Sequence, residues 1–277
     1  MLVRCQGCGL VFQDPPPSPE AMASLYYFGD ELANRLETDL RSVASERARE
    51  KRSLLDEAGV RPGGRTLDVG CSTGAWLEVA RDAGWQPVGI EIGDAFAQVA
   101  RRRGFEVHTG TLGELAPGLE PHSFTLITFW DVLEHLTEPR AALEQAAGLL
   151  APGGVIAVTF PNVAGLYPQA TLRLLARRTG VWEHPEVPAH LYDLSPSTAV
   201  GLLRRAGLEP TMVRTTAVPF SHYRSTALAD QLAGRGWRGT LVRLAFEALH
   251  AVLYPVAALL GRGNALFVVA GRNGPRG

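Results

Sequence analysis

Two acidic residues and two glycines stand at positions where they could hold a nucleoside-bearing ligand. The segment LDVGCSTGA (residues 67–75) places Gly70 and Gly74 after a short apolar run. Because glycine has no Cβ, such a loop can turn tightly and bring backbone N–H groups against a ligand. Asp68 precedes the loop, and Glu91 follows about twenty residues after it, where a carboxylate can accept hydrogen bonds from two ribose hydroxyls. This spacing favours a nucleoside-bearing ligand.

Apolar runs and helical stretches alternate from residue 65 onward, which indicates βαβ units and a parallel sheet covered by helices on both faces. The predicted strands are TLDVGC, PVGIEI, FEVHTG, SFTLITFWDV, VIAVTFPN, LEPTMVRTT and ALFVVAGR. Ligands of such sheets bind beyond the carboxyl ends of the strands, where the strand order reverses. We predict an α/β, doubly wound, mostly parallel seven-strand Rossmann-like sheet with a helical insertion before the last strand.

The chain is predicted to consist of an N-terminal extension (residues 1–58) and one large domain (residues 59–277). A long exposed helix is expected over residues 31–58. Within the domain, residues 162–194 form an irregular cover on the substrate side and residues 219–264 a helical insertion. Its apolar part, residues 240–260, is interrupted by charges and by Pro255, which we expect to break the helix and leave it too short to span a membrane. This stretch is therefore expected to form a helix that is buried, that forms a dimer or that lies at a membrane interface.

The amino-acid composition limits which partners and which cellular compartment are expected. Lys and Arg number 27 and Asp and Glu 28, so the near-neutral net charge of −1 gives no reason to expect nucleic acid. The N-terminus lacks the features of a secretory signal, and three cysteines cannot form a disulfide framework, so a cytoplasmic location is expected. Cys5 and Cys8 form half of a zinc knuckle. Structural zinc requires four ligands, so no metal is expected.

The motifs LDVGCSTGAWL, VGIEIG, FWDVLEHLTEP, LLAPGGVIAVTFPN and HLYDLSPSTAVGLLRRAG occur in this order over about residues 1–210. In them the chain resembles the class I S-adenosylmethionine-dependent methyltransferases, particularly a bacterial group with a degenerate zinc-ribbon-like start. The resemblance implies S-adenosylmethionine as cofactor and methyl transfer to a small-molecule or lipid-linked acceptor, with oxygen favoured as the nucleophile. It is specific for the fold and the cofactor and unspecific for the acceptor.

The resemblance also implies roles for individual residues. The methionine part of the cofactor would be surrounded by the loop residues Asp68, Gly70, Cys71, Ser72, Thr73 and Gly74. The ribose would be bound by Glu91, the adenine would lie against Ile92 and Leu112, and the pocket would be lined by Trp130, Asp131 and Val132. Two residues depart from the common pattern. Ser72 replaces a frequent glycine, and Thr111 replaces an acid that contacts adenine, so backbone groups would hold the adenine amino group.

Histidine is the commonest general base for a hydroxyl nucleophile. His135, after the fourth strand, and His190, in the predicted cover, are the candidates, although either could be structural. Glu134 is an alternative base, and His184 is a weaker candidate. Arg101, Arg102 and Arg103 are interpreted as a solvated helix end. Two other functions remain open: a protein that binds S-adenosylmethionine without turnover, and a nicotinamide-dependent oxidoreductase, although the loop lacks the Gly-x-Gly-x-x-Gly pattern.

Overall fold

The computed structural model describes residues 1–18, 21–22, 38, 41–180, 182, 186–217, 232 and 236–272. They divide into two compact units. Unit 1 comprises Met1–Pro17, Phe160–Ala199 and Val213–Phe267, and unit 2 comprises Ser18–Thr159, Val200–Met212 and Val268–Gly277. The division at residues 58 and 59 remains a prediction. His184 and part of the helix expected over residues 31–58 lie outside the described residues.

The strands, in chain order, are β1 (Leu2–Arg4), β2 (Val11–Gln13), β3 (Arg65–Val69), β4 (Gln86–Glu91), β5 (Glu106–Thr109), β6 (Phe124–Trp130), β7 (Leu150–Pro161), β8 (Tyr192–Asp193), β9 (Leu208–Thr216) and β10 (Ala265–Arg272). The helices are α1 (Arg41–Glu57), α2 (Ala75–Ala83), α3 (Asp94–Arg102), α4 (Leu112–Leu115), α5 (Pro139–Leu149), α6 (Leu166–Thr171), α7 (Arg177–Thr179), α8 (Pro196–Arg205) and α9 (Gly236–Leu259). Short 3₁₀ segments cover Ala116–Gly118 and Leu133–His135, and a π-helical segment covers Leu172–Ala176.

Seven of the described strands form one sheet in the order β5-β4-β3-β6-β7-β10-β9, which confirms the predicted Rossmann-like fold. The pairs β3–β4, β3–β6, β4–β5 and β6–β7 are parallel. From β3 the chain first adds strands on one side and then crosses to β6 on the other. The strand order therefore reverses between β3 and β6, and the carboxyl ends of these strands are where a ligand site is expected.

The central strands are continuous apolar runs because both of their faces are covered. Leu67 on β3 and Leu126, Ile127 and Phe129 on β6 have no exposed surface. The helices between the strands begin and end where the sequence indicates. α2, for example, lies between Gly74 and Gly84, which both adopt the left-handed conformation that favours glycine.

Unit 1 contains a second, three-stranded sheet in the order β1-β2-β8, in which neighbouring strands are antiparallel. Gln13 on β2 is buried, and its side-chain amide donates hydrogen bonds to the carbonyl oxygens of Pro188 and His190. The turn between β1 and β2 holds Cys5 and Cys8, both as free thiols. Backbone hydrogen bonds from Cys8 and Gly7 lower the pKa of Cys5.

The prediction that Pro255 breaks the apolar helix is wrong, because α9 continues through this residue for 24 residues in all. Proline removes one hydrogen bond, to the carbonyl oxygen four residues earlier. That carbonyl belongs to Ala251, which is exposed, so water can replace the lost donor. At about 36 Å, α9 is long enough and apolar enough to cross a membrane, by length and composition only.

Candidate active site

A cavity of about 480 Å³ opens at the carboxyl ends of β3, β4, β5 and β6, within unit 2. Its volume falls in the range of small-molecule sites. The described residues that line it are Val69, Gly70, Ile90, Glu91, Ile92, Gly110, Thr111, Leu112, Gly113, Asp131, Val132, His135, Leu136, Thr137, Glu138, Ala141, Ala142 and Gln145. The structure therefore brings together seven of the predicted site residues: Gly70, Glu91, Ile92, Leu112, Asp131, Val132 and His135.

The loop after β3 requires glycine at position 70 for two reasons. Gly70 has a φ of +79°, and a Cβ added there would lie 2.6 Å from Cγ2 of Val132. Val132 follows β6, so its side chain packs directly on the backbone of the neighbouring loop. Ser72 also has a positive φ, +50°, which explains why glycine is the commoner residue there.

Glu91 joins the loop to the end of β4. Its Oε2 accepts a hydrogen bond from the backbone N–H of Ser72, and its Oε1 accepts one from the N–H of Gly93, each at 2.8 Å. Burial raises the pKa of Glu91, and these backbone donors oppose that rise. A carboxylate offers about four acceptor positions, more than the backbone donors of Ser72, Gly93 and Ile92 occupy, and Glu91 lines the cavity. The structure thus fits the predicted ribose-binding role.

Asp68 is a buried acid behind the loop and is not among the residues that line the cavity. Its Oδ1 accepts a hydrogen bond of 2.6 Å from the hydroxyl of Thr128 on β6. Burial raises the pKa of Asp68 to about 7, against the opposing effects of that hydrogen bond and of the Lys51 charge. Asp68 therefore ties β3 to β6 at the point where the cavity opens.

Asp131, directly after β6, is paired with two cations from α1 that the sequence analysis missed. Its Oδ2 lies 3.3 Å from Nη2 of Arg47 and 3.5 Å from Nζ of Lys51. Burial alone would raise the pKa of Asp131, but the charges of Lys51 and Arg47 outweigh it and bring the pKa to about 2. Asp131 therefore faces the cavity as a carboxylate. The available sequence signal was the i, i+4 spacing of the two cations on one helix.

Arg103 was expected at a solvated helix end, and this interpretation is wrong. Its guanidinium donates hydrogen bonds to the carbonyl oxygen of Thr73 at 2.7 Å and to the Glu78 carboxylate at 2.6 Å. The side chain is only 12% exposed. Its guanidinium also lies over the ring of Phe105, and these contacts together cover most of the side chain. Arg101 and Arg102 do lie in the last turn of α3, as expected.

The expected adenine side of the cavity is built from the ends of β4 and β5. Ile92 is half exposed, and Leu112 is buried at the start of α4. Thr111 caps α4 and exchanges hydrogen bonds with Glu114 through its hydroxyl and its N–H. Both groups of Thr111 are therefore engaged within this capping box at the start of α4.

Two predicted site residues pack away from the cavity. Trp130 meets Trp76 edge to face, with ring centroids 5.2 Å apart, and Nζ of Lys51 lies 5.2 Å from its ring centre. Trp130 is not among the residues that line this cavity, whereas Asp131 and Val132, directly after β6, are. Cys71 packs in an apolar cluster with residues that include Leu77 and Phe105, and burial raises its pKa.

Comparisons with known proteins agree with this geometry. The family described as "Methyltransferase domain" matches residues 43–213, which is more than half of the chain. The chain belongs to this methyltransferase family. A ubiquinone biosynthesis O-methyltransferase from Bordetella bronchiseptica is 32% identical over 176 residues, which cover 58% of this chain and 68% of the relative.

Solved structures show the same fold. A SAM-dependent methyltransferase from Archaeoglobus fulgidus superimposes with a TM-score of 0.56 at 15% identity and covers 83% of this chain and 93% of its own. The magnesium protoporphyrin IX methyltransferase from Synechocystis, solved with bound SAH, gives 0.54 at 16% identity, covering 86% and 87%. The predictions of an S-adenosylmethionine-dependent methyltransferase and of that cofactor are confirmed, and neither the oxidoreductase nor the binding-only alternative is supported.

The two candidate bases of this methyltransferase lie in different units. His135 ends the 3₁₀ segment after β6 and lines the cavity of unit 2, next to the fully buried Glu134. His190 belongs to unit 1, where it is buried and its Nε2 lies 3.7 Å from the carboxylate of Glu186. Of the two, His135 is the one on the cavity wall.

Proposed function

We propose that this enzyme transfers a methyl group from S-adenosylmethionine to a hydroxyl oxygen of a small, quinone-type or lipid-linked acceptor. The observation that carries the proposal is one cavity lined by Glu91, at the end of β4, and by Asp131 and His135, which follow β6 on the other side of β3. The O-methyltransferase named in ubiquinone biosynthesis supports oxygen as the nucleophile and a quinone-type acceptor. Glycan and polyketide-like acceptors are the alternatives that the acceptor screen below separates.

Different residues of the cavity have different roles, some in binding the cofactor and others in positioning the acceptor or in proton transfer. When bound, S-adenosylmethionine supplies a methyl group on a positively charged sulfonium. Glu91 binds the ribose hydroxyls, and the Gly70 loop accepts the methionine part. Asp131 lines the cavity as a carboxylate held in place by Arg47 and Lys51. The remaining requirement of an in-line displacement is alignment of the acceptor, which the apolar wall residues Leu136, Ala141 and Ala142 would provide.

His135 is proposed as the general base that takes the proton of the acceptor hydroxyl as its oxygen forms the new bond to carbon. His135→Ala should lower kcat by roughly 10²–10⁴-fold, the contribution typical of a general base. Binding of S-adenosylhomocysteine should stay within about threefold of wild type. His108→Ala is the matched control, because His108 is exposed on β5 and outside the cavity. His190→Ala tests the second candidate in the same assay, with His190 proposed for acceptor contact.

Two measurements test the function as a whole. Calorimetry should show S-adenosylhomocysteine binding to wild type and a loss of at least about tenfold in affinity for Glu91→Ala. Labelled S-adenosylmethionine should then pass its methyl group to phenolic or quinol acceptors in a screen that also contains glycans and polyketides. Calorimetry without any uptake of the cofactor or its product would falsify the proposal, and turnover with only a nitrogen acceptor would contradict the oxygen assignment.

We further propose that the enzyme is cytoplasmic and does not bind nucleic acid. We also propose that it contacts either a membrane surface or a second copy of itself. The near-neutral charge of the chain supports the first point. The second is supported by the long apolar helix α9, because either partner would cover an exposed apolar surface.

A further inference from the structure

Helix α9 has two apolar sides, and only one of them is packed within unit 1. The packed side carries Phe246, which is fully buried against Tyr167 and Leu232, and the buried residues His250 and Ala257. This side holds the helix to the protein. Only 17% of the most apolar 18-residue window of α9 is buried, so most of its apolar surface has no such cover among the described residues.

The outward side carries a continuous stripe of exposed apolar residues. Its members follow one another at intervals of four, three, four, four, three and four residues, which keeps them on one face of a helix with 3.6 residues per turn. They are Trp237, Leu241, Leu244, Ala248, Val252, Pro255 and Leu259, named here the outer stripe. Trp237 is 70% exposed, Val252 65% and Leu259 87%. Monomeric proteins rarely expose a contiguous apolar surface of this extent without a partner.

We infer that the outer stripe docks the enzyme on the surface of a bilayer that contains anionic phospholipids, with α9 lying parallel to the membrane plane. The net charge of this segment fits this partner. Residues 236–262 contain three arginines, at positions 238, 243 and 262, against one acid, Glu247; Glu247 pairs with Arg243, so the charges of Arg238 and Arg262 remain in excess. Arg238 stacks on the ring of Trp237 at one end of the stripe, a pairing of cation and aromatic that suits the headgroup region.

Two other arrangements would also cover the apolar surface of α9, a membrane-spanning helix and a coiled-coil dimer, but the helix fits each of them less well. A spanning helix would have to expose its whole circumference to lipid or to other spanning helices, whereas Phe246 and His250 are packed in unit 1. A coiled-coil dimer carries charged residues along both edges of its apolar seam. Here the edges of the outer stripe are largely small and apolar, with Ala245, Ala251 and Ala258 exposed.

This inference rests on the proposed contact with a membrane or a second copy, and it selects the first. Membrane docking through the outer stripe would serve the reaction, because an enzyme held at a bilayer meets apolar or lipid-linked acceptors where they are concentrated. Vesicle binding does not require turnover or a bound cofactor, so it can be measured apart from the methyl-transfer proposal.

The test is flotation of the full chain with vesicles of phosphatidylcholine alone or of phosphatidylcholine with phosphatidylglycerol. The stripe variant replaces Leu241, Leu244 and Val252 by glutamine. The matched control replaces Leu174 and Val213, which are exposed apolar residues outside α9, by glutamine. Circular dichroism and S-adenosylhomocysteine calorimetry establish that each variant is folded and binds its cofactor.

Wild type should bind the phosphatidylglycerol vesicles at least about tenfold more tightly than the stripe variant, while the control should match wild type. Emission of Trp237 should shift to shorter wavelength on binding, and the shift should be absent in Trp237→Phe. The inference is overturned if wild type binds neither kind of vesicle or if the stripe variant binds as wild type does. It is equally overturned if light scattering shows a wild-type dimer that the stripe variant converts to monomers. A wild type that floats with vesicles but fails to bind S-adenosylhomocysteine would refute the methyl-transfer proposal and leave this inference standing.

Discussion

The guanidinium of Arg103 donates a hydrogen bond of 2.7 Å to the backbone carbonyl oxygen of Thr73, in the loop that follows β3. A second donor of the same guanidinium binds the carboxylate of Glu78 on α2. The arginine stands immediately after α3, so it connects the loop and helix on one side of the cavity to the helix that follows β4. The loop conformation thus depends on a side chain thirty positions away.

Arg103→Met should weaken S-adenosylhomocysteine binding by about tenfold, or about 1.4 kcal/mol, because the loop loses a charged donor that fixes its backbone. Arg102→Met is the control, since Arg102 is exposed in the same turn. Calorimetry at one temperature checks both. Equal affinities of the two variants would show that Thr73 is held well enough without Arg103.

The ion pairs of Asp131 should contribute unequally. Lys51 is 18% exposed and Arg47 41%, so solvent screens the charge of Arg47 more strongly. The folded-state pKa of Asp131 is depressed to about 2, so the stability it contributes is present above about pH 4 and is lost as the pH falls through 2. Lys51→Met should therefore lower the free energy of unfolding at pH 7 by about 1 kcal/mol, and Arg47→Met by less.

Urea denaturation of the two variants measures this difference. At pH 7 both variants should be less stable than wild type, and the gap should narrow below about pH 4 and close near pH 2, where Asp131 is protonated in the folded protein as well as in the unfolded chain. A larger loss for Arg47→Met than for Lys51→Met would contradict the assignment of the stronger ion pair to Lys51.

Sequence patterns were sufficient for the sheet and for placing Glu91 at the end of a strand that borders the cavity, because both depend on local periodicity and on the rule that ligands bind at the reversal of strand order. They were not sufficient for Arg47, Lys51 and Arg103. Each of these side chains acts on a residue from another βα unit, and no local pattern records which helix lies over which loop. Nor could sequence patterns show that Trp130 is absent from the cavity lining, because in a strand buried on both faces apolarity does not distinguish the two sides.

The buried acid Asp68 should make folding stability fall as the pH rises. Its folded-state pKa of about 7 lies above the ordinary value of 3.8, so the folded protein retains a proton that the unfolded chain releases. The stabilising contribution is complete below about pH 4 and is lost as the pH rises through 7. We expect Asp68→Asn to remove this loss and to gain roughly 2–4 kcal/mol on wild type between pH 5 and pH 8.

Asp193 provides the matched variant for that measurement. It is the other described acid whose pKa burial raises to about 7, and it lies in unit 1. Each single Asn variant should flatten part of the pH dependence of the free energy of unfolding, and the double variant should flatten most of it. If Asp68→Asn has the same pH dependence as wild type, then Asp68 is ionised at neutral pH in the folded protein.

The contact between Gly70 and Val132 can be separated from the backbone strain at Gly70 by comparison with Gly104. Both glycines have a φ near +80°, but a Cβ added at Gly104 would meet nothing within 4 Å, whereas one added at Gly70 would lie 2.6 Å from Val132. Gly104→Ala should cost about 1 kcal/mol for the left-handed conformation alone. Gly70→Ala should cost about 1–3 kcal/mol more because of the clash, and it should also weaken S-adenosylhomocysteine binding.

A double-mutant cycle with Val132→Ala isolates the clash. Removing the Val132 methyl groups should recover the extra loss of Gly70→Ala but not the part shared with Gly104→Ala, giving a coupling energy of about 1–2 kcal/mol in urea denaturation. Gly104→Ala combined with Val132→Ala should be additive, because these residues share no contact. If the Gly70 pair is additive as well, the loop must move away from Val132 when Cβ is added. The predicted clash between the added Cβ and Val132 would then be absent.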